Sequence, residues 1–225
     1  MRKIFISLVA SVLTISASFA AETIKPVLDF NFQKTTKNTV TSVGAKNIVG
    51  TVNGKMKIVN DAKFDKCMEF KTPTYLTVPT GKLAANKDFT VSVNAKIDSF
   101  GGWQVIAAKE SWNAKTGWII MNRVNNLTVY VNSQAVFSVK SPFLDKKWHN
   151  LTVVFAAGKM LVYVDGKKLA EKKTMPKNNN VPIYFGARHK NTGKSVVDYL
   201  RKALMTDIKI FAQALSGEDV KKLVK

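Results

Sequence analysis

From Phe89 to Ile97 the chain alternates strictly. Phe89, Val91, Val93, Ala95 and Ile97 fall on one side, and Thr90, Ser92, Asn94 and Lys96 on the other. A period of two sends successive side chains to opposite faces of an extended backbone, so this segment predicts a strand with one face on a core and one in water. Leu127, Val129 and Val131 repeat the pattern, as do Leu151, Val153 and Phe155. Met160 to Val164 is apolar on both faces and predicts a central strand covered on both sides. It runs into Asp165-Gly166, a dipeptide that tolerates the positive φ of a type I′ turn, so Lys167 to Glu171 is expected to return as its hairpin partner. Asn125-Asn126 and Ala157-Gly158 are further turn candidates.

The same texture continues from residue 24 onward: short runs of Val, Ile, Phe, Tyr and Thr separated by Asn, Gly, Lys and Pro clusters. No helical period shows until the last dozen residues. There Ser216 stands as a cap with Asp219 three positions on, and Val220, Leu223 and Val224 give one apolar face. The fold class expected is all-β, an antiparallel two-sheet sandwich with a short C-terminal helix.

The first residues depart from this pattern. Arg2 and Lys3 precede a nearly unbroken apolar run, Ile4 to Ile15, and then Ser18-Phe19-Ala20. A short basic start, a short apolar stretch and small residues at the cleavage positions read as a signal peptide, residues 1–20, with the mature domain at 21–225. The apolar run is too short to span a bilayer comfortably, and no later segment is long enough. Export to a periplasm or to the outside of the cell is the expected destination.

Composition sharpens the picture in two ways. Cys67 is the only cysteine, so no internal disulfide can hold the chain, and its strand-like surroundings suggest a buried small hydrophobe. The formal charge is +20, falling to +18 without Arg2 and Lys3, and it rests mainly on lysine. Such a charge attracts polyanions; lysine spread over a solvated surface is the plain alternative.

Three stretches together resemble the laminin G-like members of the concanavalin A-like lectin and glucanase superfamily. They are Phe89 to Lys96; Trp148 to Phe155 followed by Leu161 to Lys167; and Asp207 to Ser216 followed by Glu218 to Val224. Val27 to Phe30 resembles the opening strand of that family. Cys67 to Phe70 followed by Tyr75 to Pro79 resembles its next hairpin, and Ile183 to Gly186 the strand before the terminal motif. The resemblance implies a jelly roll whose ligands bind on the concave sheet or at the rim loops. Those ligands include sugars, sulfated polysaccharides, proteins and lipids, and fold alone does not choose among them.

Catalytic chemistry is scarce. The glucanases of this superfamily carry Glu-x-Asp-x-x-Glu on a strand, and none of the 15 acidic residues is so arranged. His149 and His189 are the only histidines, no Gly-x-Ser-x-Gly elbow accompanies them, and no glycine-rich phosphate loop is present. The expectation is a protein without catalytic residues. No cofactor is expected either. Calcium, which the family resemblance allows, would call on Asp29 and Asp207, but the positive field disfavours it.

Two leads to a ligand remain. Between Lys167 and Lys202 ten Lys or Arg face only Glu171 and Asp198, which makes Arg188, Lys190 and Lys194 candidate contacts to a polyanion. Trp103, Trp112 and Trp118 fall within a stretch that also holds Gly101, Gly102, Asn113 and Gly117. Trp118 opens an apolar run and reads as core, while Trp112 lies beside Asn113 in the polar stretch Lys109 to Lys115, where an exposed indole could stack on a sugar ring; a largely buried ring is the competing reading. The function expected is a non-catalytic module for an extracellular carbohydrate, with an anionic polysaccharide as the sharper form. The alternative is a structural or adhesive surface protein that contacts other proteins, and a hydrolase or lyase with an unrecognised site comes third. Specific nucleic-acid binding is not expected of an exported chain without a nucleic-acid fold signature.

Overall fold

The computed structural model describes residues 24–79, 88–190 and 195–225. In chain order the strands are β1 (Leu28–Phe30), β2 (Thr39–Thr41), β3 (Val49–Asn53), β4 (Ile58–Asp61), β5 (Asp65–Phe70), β6 (Tyr75–Val78), β7 (Phe89–Ile97), β8 (Trp103–Ser111) and β9 (Thr116–Arg123). They continue as β10 (Asn126–Val131), β11 (Gln134–Lys140), β12 (Trp148–Ala156), β13 (Lys159–Val164), β14 (Lys167–Lys173), β15 (Ile183–Phe185), β16 (Arg188–Lys190), β17 (Ser195–Val197) and β18 (Ala203–Phe211). A 3-10 turn, Pro142–Asp145, and one helix, α1 (Gly217–Lys221), complete the elements.

Sixteen of the strands form two antiparallel eight-stranded sheets. The first runs β14-β13-β12-β7-β18-β5-β4, with β1 also on β18; the second runs β11-β10-β9-β8-β15-β6-β3-β2. β16 and β17 pair only with each other. Phe30, Phe70, Phe155 and Phe185 are fully buried in one apolar cluster that draws on both sheets, which is the arrangement of a jelly-roll sandwich.

β7 has the bounds its alternation predicts, and Val91, Val93, Ala95 and Ile97 lie in the core. Its polar side is not wet, however. Thr90, Ser92 and Asn94 are all buried. They are satisfied laterally: Ser92 bonds Thr152 at 2.9 Å, Asn150 donates to Asn94 at 3.0 Å, and Thr90 donates to the Gln213 carbonyl at 3.0 Å. On the same outer face Val154, Tyr163, Phe211, Leu215 and Val220 make a second apolar cluster, so the C-terminal segment covers this sheet. Ser216 caps α1 as its sequence suggests, its Oγ accepting from the Asp219 N–H at 3.1 Å.

Other expectations shift. β13 is second from a sheet edge rather than central, although its residues from Val162 to Val164 are buried. β5 and β6 do not form a hairpin: they belong to different sheets, joined through the cis Thr72-Pro73 bond. Asp165 and Gly166 both take positive φ, as a type I′ turn requires, while the β9–β10 turn falls on Val124-Asn125, one residue earlier than Asn125-Asn126. Cys67 is fully buried and its thiol is pushed up to about 12 by burial, which leaves it inert. The proposed signal peptide lies outside the described residues, and no helix among those described is long and apolar enough to cross a membrane.

Candidate aromatic binding shelf

Antiparallel sheets commonly leave one face to solvent. Over β8, β9 and β10 the second sheet does not, and β8 supplies the reason. A register shift between Val105 and Ala107 inserts a bulge, so Ile106 and Ala107 face the core while Trp103, Val105, Ala108 and Trp112 join a cluster on the outer face. Without that bulge, Trp103 and Trp112 would stand on opposite faces. β9 adds Ile119 and Met121, and β10 adds Tyr130.

The result is an aromatic shelf. Tyr130 is 5% exposed and lies beneath Trp103 and Trp112, with ring centroids 6.0 Å from each. Both indoles are half-buried, so each keeps accessible surface. Arg123 is paired across the strands with Trp103; its guanidinium sits 5.1 Å from the Trp103 ring and donates to the Tyr130 hydroxyl at 3.2 Å.

The β16–β17 hairpin supplies the shelf's other cation. Gly186 sets its course: φ is +83°, and a Cβ there would stand 2.3 Å from the Phe70 ring. Arg188 then lies 5.7 Å from the Trp103 ring and 5.4 Å from the Trp112 ring. Its charge is taken up internally. Nε donates to Asp198 at 2.6 Å, and Nη1 is 3.7 Å from Glu110. Glu110 is 5% exposed; burial pushes its carboxyl up to about 7, against the opposing pull of Arg188 and a hydrogen bond from Ser133. The one Ser133 hydroxyl proton is shared with the Trp112 carbonyl, 3.0 Å away, which ties Glu110 to the turn that carries Trp112.

Of the residues singled out from sequence, Trp112 and Arg188 come together on this shelf. Asn113 is exposed at the adjoining β8–β9 turn, and Lys190 is exposed at the end of β16. Lys194 lies outside the described residues. The lysines of β14 stand elsewhere, on an edge strand of the opposite sheet. Lys172 and Lys167 face the buried Met160 and Val164 in register, and a bulge follows Tyr163's partner Lys168, so β14 is an edge blunted by charge against further strand pairing. Trp103 belongs to the aromatic stretch noted in the sequence, from which Trp112 is the expected contact; Arg123 and Tyr130 were not reached from sequence as site residues. Alternation along β9 and β10 would have put Arg123 and Tyr130 on one face, but the bulge in β8 has no sequence signature that connects them to Trp112.

Three other clusters of polar contacts lie away from the shelf. Lys209 Nζ lies 3.7 Å from Asp29 and 3.6 Å from Asp207, and Lys225 also reaches Asp207, so ammonium groups occupy the ground where a calcium ion would need those carboxylates. His149 bridges Asp165 at 2.7 Å and Asp145 at 3.0 Å, tying the β13–β14 turn to the 3-10 turn. Trp148 is half-buried on the first sheet; its indole donates to Asp61 at 3.1 Å and its ring packs on Phe64. A small cleft is walled by Phe89, Trp118 and Ile183 together with Pro176 and Lys177. Lys109 closes its rim by donating to Asn178 and Asn179.

Residues 70–221 match the family model described as the concanavalin A-like lectin/glucanases superfamily. No curated protein matches the chain. Among solved structures, the binding domain of Paraclostridial Mosquitocidal Protein 1 superposes with a TM-score of 0.68 at 15% identity, covering 88% of this chain and 51% of that one. Botulinum neurotoxin type C, whose cell entry depends on interaction with two ganglioside molecules, gives 0.65 at 19% identity, with 88% and 50% covered. The binding domain of botulinum neurotoxin DC, in complex with rat synaptotagmin II, gives 0.64 at 19%, with 88% and 51% covered. The chain therefore spans about half the length of these toxin structures, and at such identities the likeness is one of fold.

Proposed function

The chain belongs to the concanavalin A-like lectin/glucanases superfamily, and from that premise we propose that it is an exported, non-catalytic module, residues 21–225, that binds extracellular carbohydrate on the shelf of Trp103, Trp112 and Tyr130. The observation that carries this reading is the pair of half-buried indoles standing on a buried tyrosine, outside the core of a sandwich. A pyranose offers an apolar C–H face, and an indole offers a flat apolar partner with an electron-rich surface; few other ligands match a rigid two-indole shelf rimmed by guanidinium and amide groups. A non-catalytic role is supported by the state of the nearby carboxylates. Glu110 and Asp198 are both engaged by Arg188 instead of facing each other across an open groove.

The test is a screen of the full mature chain against neutral and acidic glycans, with Trp112→Ala and Trp103→Ala beside it and Trp148→Phe as a control on the other sheet. Each shelf variant is expected to lower affinity at least tenfold while the control does not. Binding untouched by both shelf variants would refute the site.

A second reading has one observation in its favour: the botulinum neurotoxin DC domain of similar fold is seen with a protein, synaptotagmin II. An adhesive protein that uses the same aromatic shelf for protein contacts would be silent on the glycan screen and would lose its partner on Trp112→Ala.

A further inference from the structure

Arginine is rare in this chain. Of its 35 basic residues only Arg2, Arg123, Arg188 and Arg201 are arginine, and the last three all meet at the dipeptide Gly102-Trp103. Arg123 and Arg188 lie over the Trp103 ring, and Arg201 packs on Gly102, where a Cβ would stand 2.7 Å from its Nη2. Lysine serves wherever a solvated charge suffices; a guanidinium adds a flat fork of donors that matches an oxyanion at two points.

The three differ in what they have to bind. Arg188 is consumed by Asp198 and Glu110. Arg123 is exposed and, among the described residues, its side chain bonds only a neutral hydroxyl, Tyr130. Arg201 is exposed as well, and among the described residues neither Arg123 nor Arg201 has a carboxylate within 4 Å.

The backbone that carries both is nevertheless fixed. The buried side chain of Gln104 accepts from the Arg201 backbone N–H at 3.0 Å and donates to the Ser99 and Gly101 carbonyls at 3.0 and 3.2 Å. The Val124 N–H bonds the Gly102 carbonyl at 2.6 Å, which fixes the turn after Arg123 against the same dipeptide. Gly102 itself needs to be glycine twice over, for its φ of +63° and for the space that Arg201 fills.

We infer that Arg123 and Arg201 form an oxyanion subsite at the Gly102 end of the shelf, taking a carboxylate or sulfate group carried by the sugar chain that the indoles hold. It deepens the carbohydrate reading and rests on it for the sugar, but not for the anion. Lys202 is exposed next in sequence and adds to the local field, whereas the β14 lysines act only through long-range attraction that salt screens.

The experiment uses the full mature chain at 0.15 M and 0.5 M salt with matched oligosaccharides: a uronate-bearing one and its carboxyl-reduced form, and a sulfated one and its desulfated form. Calorimetry is expected to show one acidic form bound at least tenfold tighter than its neutral partner, and which pair shows it tells carboxylate from sulfate. Arg123→Gln and Arg201→Gln should each remove most of that preference, and Arg201→Gln, which touches none of the shelf rings, should leave the neutral form's affinity within twofold. Arg201→Lys should restore only part of it, and Lys172→Gln on β14 should change nothing at high salt. An acid preference that survives both arginine variants, or that Lys172→Gln reduces equally, overturns the inference while leaving the carbohydrate reading intact. If no glycan binds at all, the carbohydrate reading falls, and titration with sodium sulfate followed by NMR of the arginine Nε–H signals decides the subsite alone. Selective shifts at Arg123 and Arg201 uphold it; uniform or absent shifts overturn it.

Discussion

At the scale of single residues, two titrating groups make stability depend on pH in the same direction. Glu110 is held up to about 7 by burial, so between its ordinary range and neutrality the folded chain keeps a proton that the unfolded chain has released. Stability therefore falls as pH rises through that window, by on the order of 3 kcal/mol for a group shifted this far. Glu110→Gln is expected to flatten the slope of urea-unfolding free energy between pH 5 and 8; an unchanged slope would show that the carboxyl titrates normally. At His149 burial alone would push the imidazole down, but hydrogen bonds to Asp165 and Asp145 outweigh it and raise its pKa above the usual value. A raised histidine pKa stabilises fully below the unfolded value and loses that contribution as pH climbs through the folded one. His149→Gln should thus cost about 1 kcal/mol at pH 5.5 and progressively less above neutrality, read as the difference in thermal midpoint from the unsubstituted chain.

Among the elements, the hairpin of β16 and β17 and the helix α1 each hang on one local feature. Gly186→Ala would drive a methyl into the Phe70 ring at a residue with positive φ, so a loss of at least about 2 kcal/mol is expected by chemical denaturation. Ser216→Ala removes the cap of α1 and should cost about 1 kcal/mol; a loss below a few tenths would mean the helix is held by packing of Val220 and Leu215 alone. Element identity was largely legible in the sequence. The alternation of Phe89 to Ile97 gave a strand with the right ends, and Asp165-Gly166 gave the right turn. Partnership was not. Period-two patterning says that Cys67 to Phe70 and Tyr75 to Val78 are strands, but nothing in it says that they belong to different sheets. Nor does it separate a wet polar face from one whose Ser92, Asn94, Asn150 and Thr152 bond sideways beneath a covering segment. The site suffered most from this blindness. Trp112 and Arg188 could be picked out singly, but the bulge after Val105 that places Trp103 and Trp112 on one face is a backbone event, invisible to a residue count.

Over the whole molecule, charge and shelf are separate devices. Most of the positive charge is lysine, spread along the chain with four on β14, while three of the four arginines gather at Gly102-Trp103. Polyanion affinity should accordingly have two parts. Retention on a heparin column that Trp112→Ala leaves unchanged, and that vanishes between 0.15 and 0.5 M salt, would be the lysine field; binding that persists at high salt and depends on Trp112 would be the shelf. The four tryptophans give the most direct test of the central claim, because each contributes one indole N–H signal and only two lie on the shelf. In an NMR titration of the mature chain with its best glycan from the screen, Trp103 and Trp112 are predicted to shift and saturate together. Trp118, buried in the core, and Trp148, on the other sheet, should stay in place. Shifts at Trp148 with Trp103 and Trp112 unmoved would contradict the account and move the binding site to the opposite sheet.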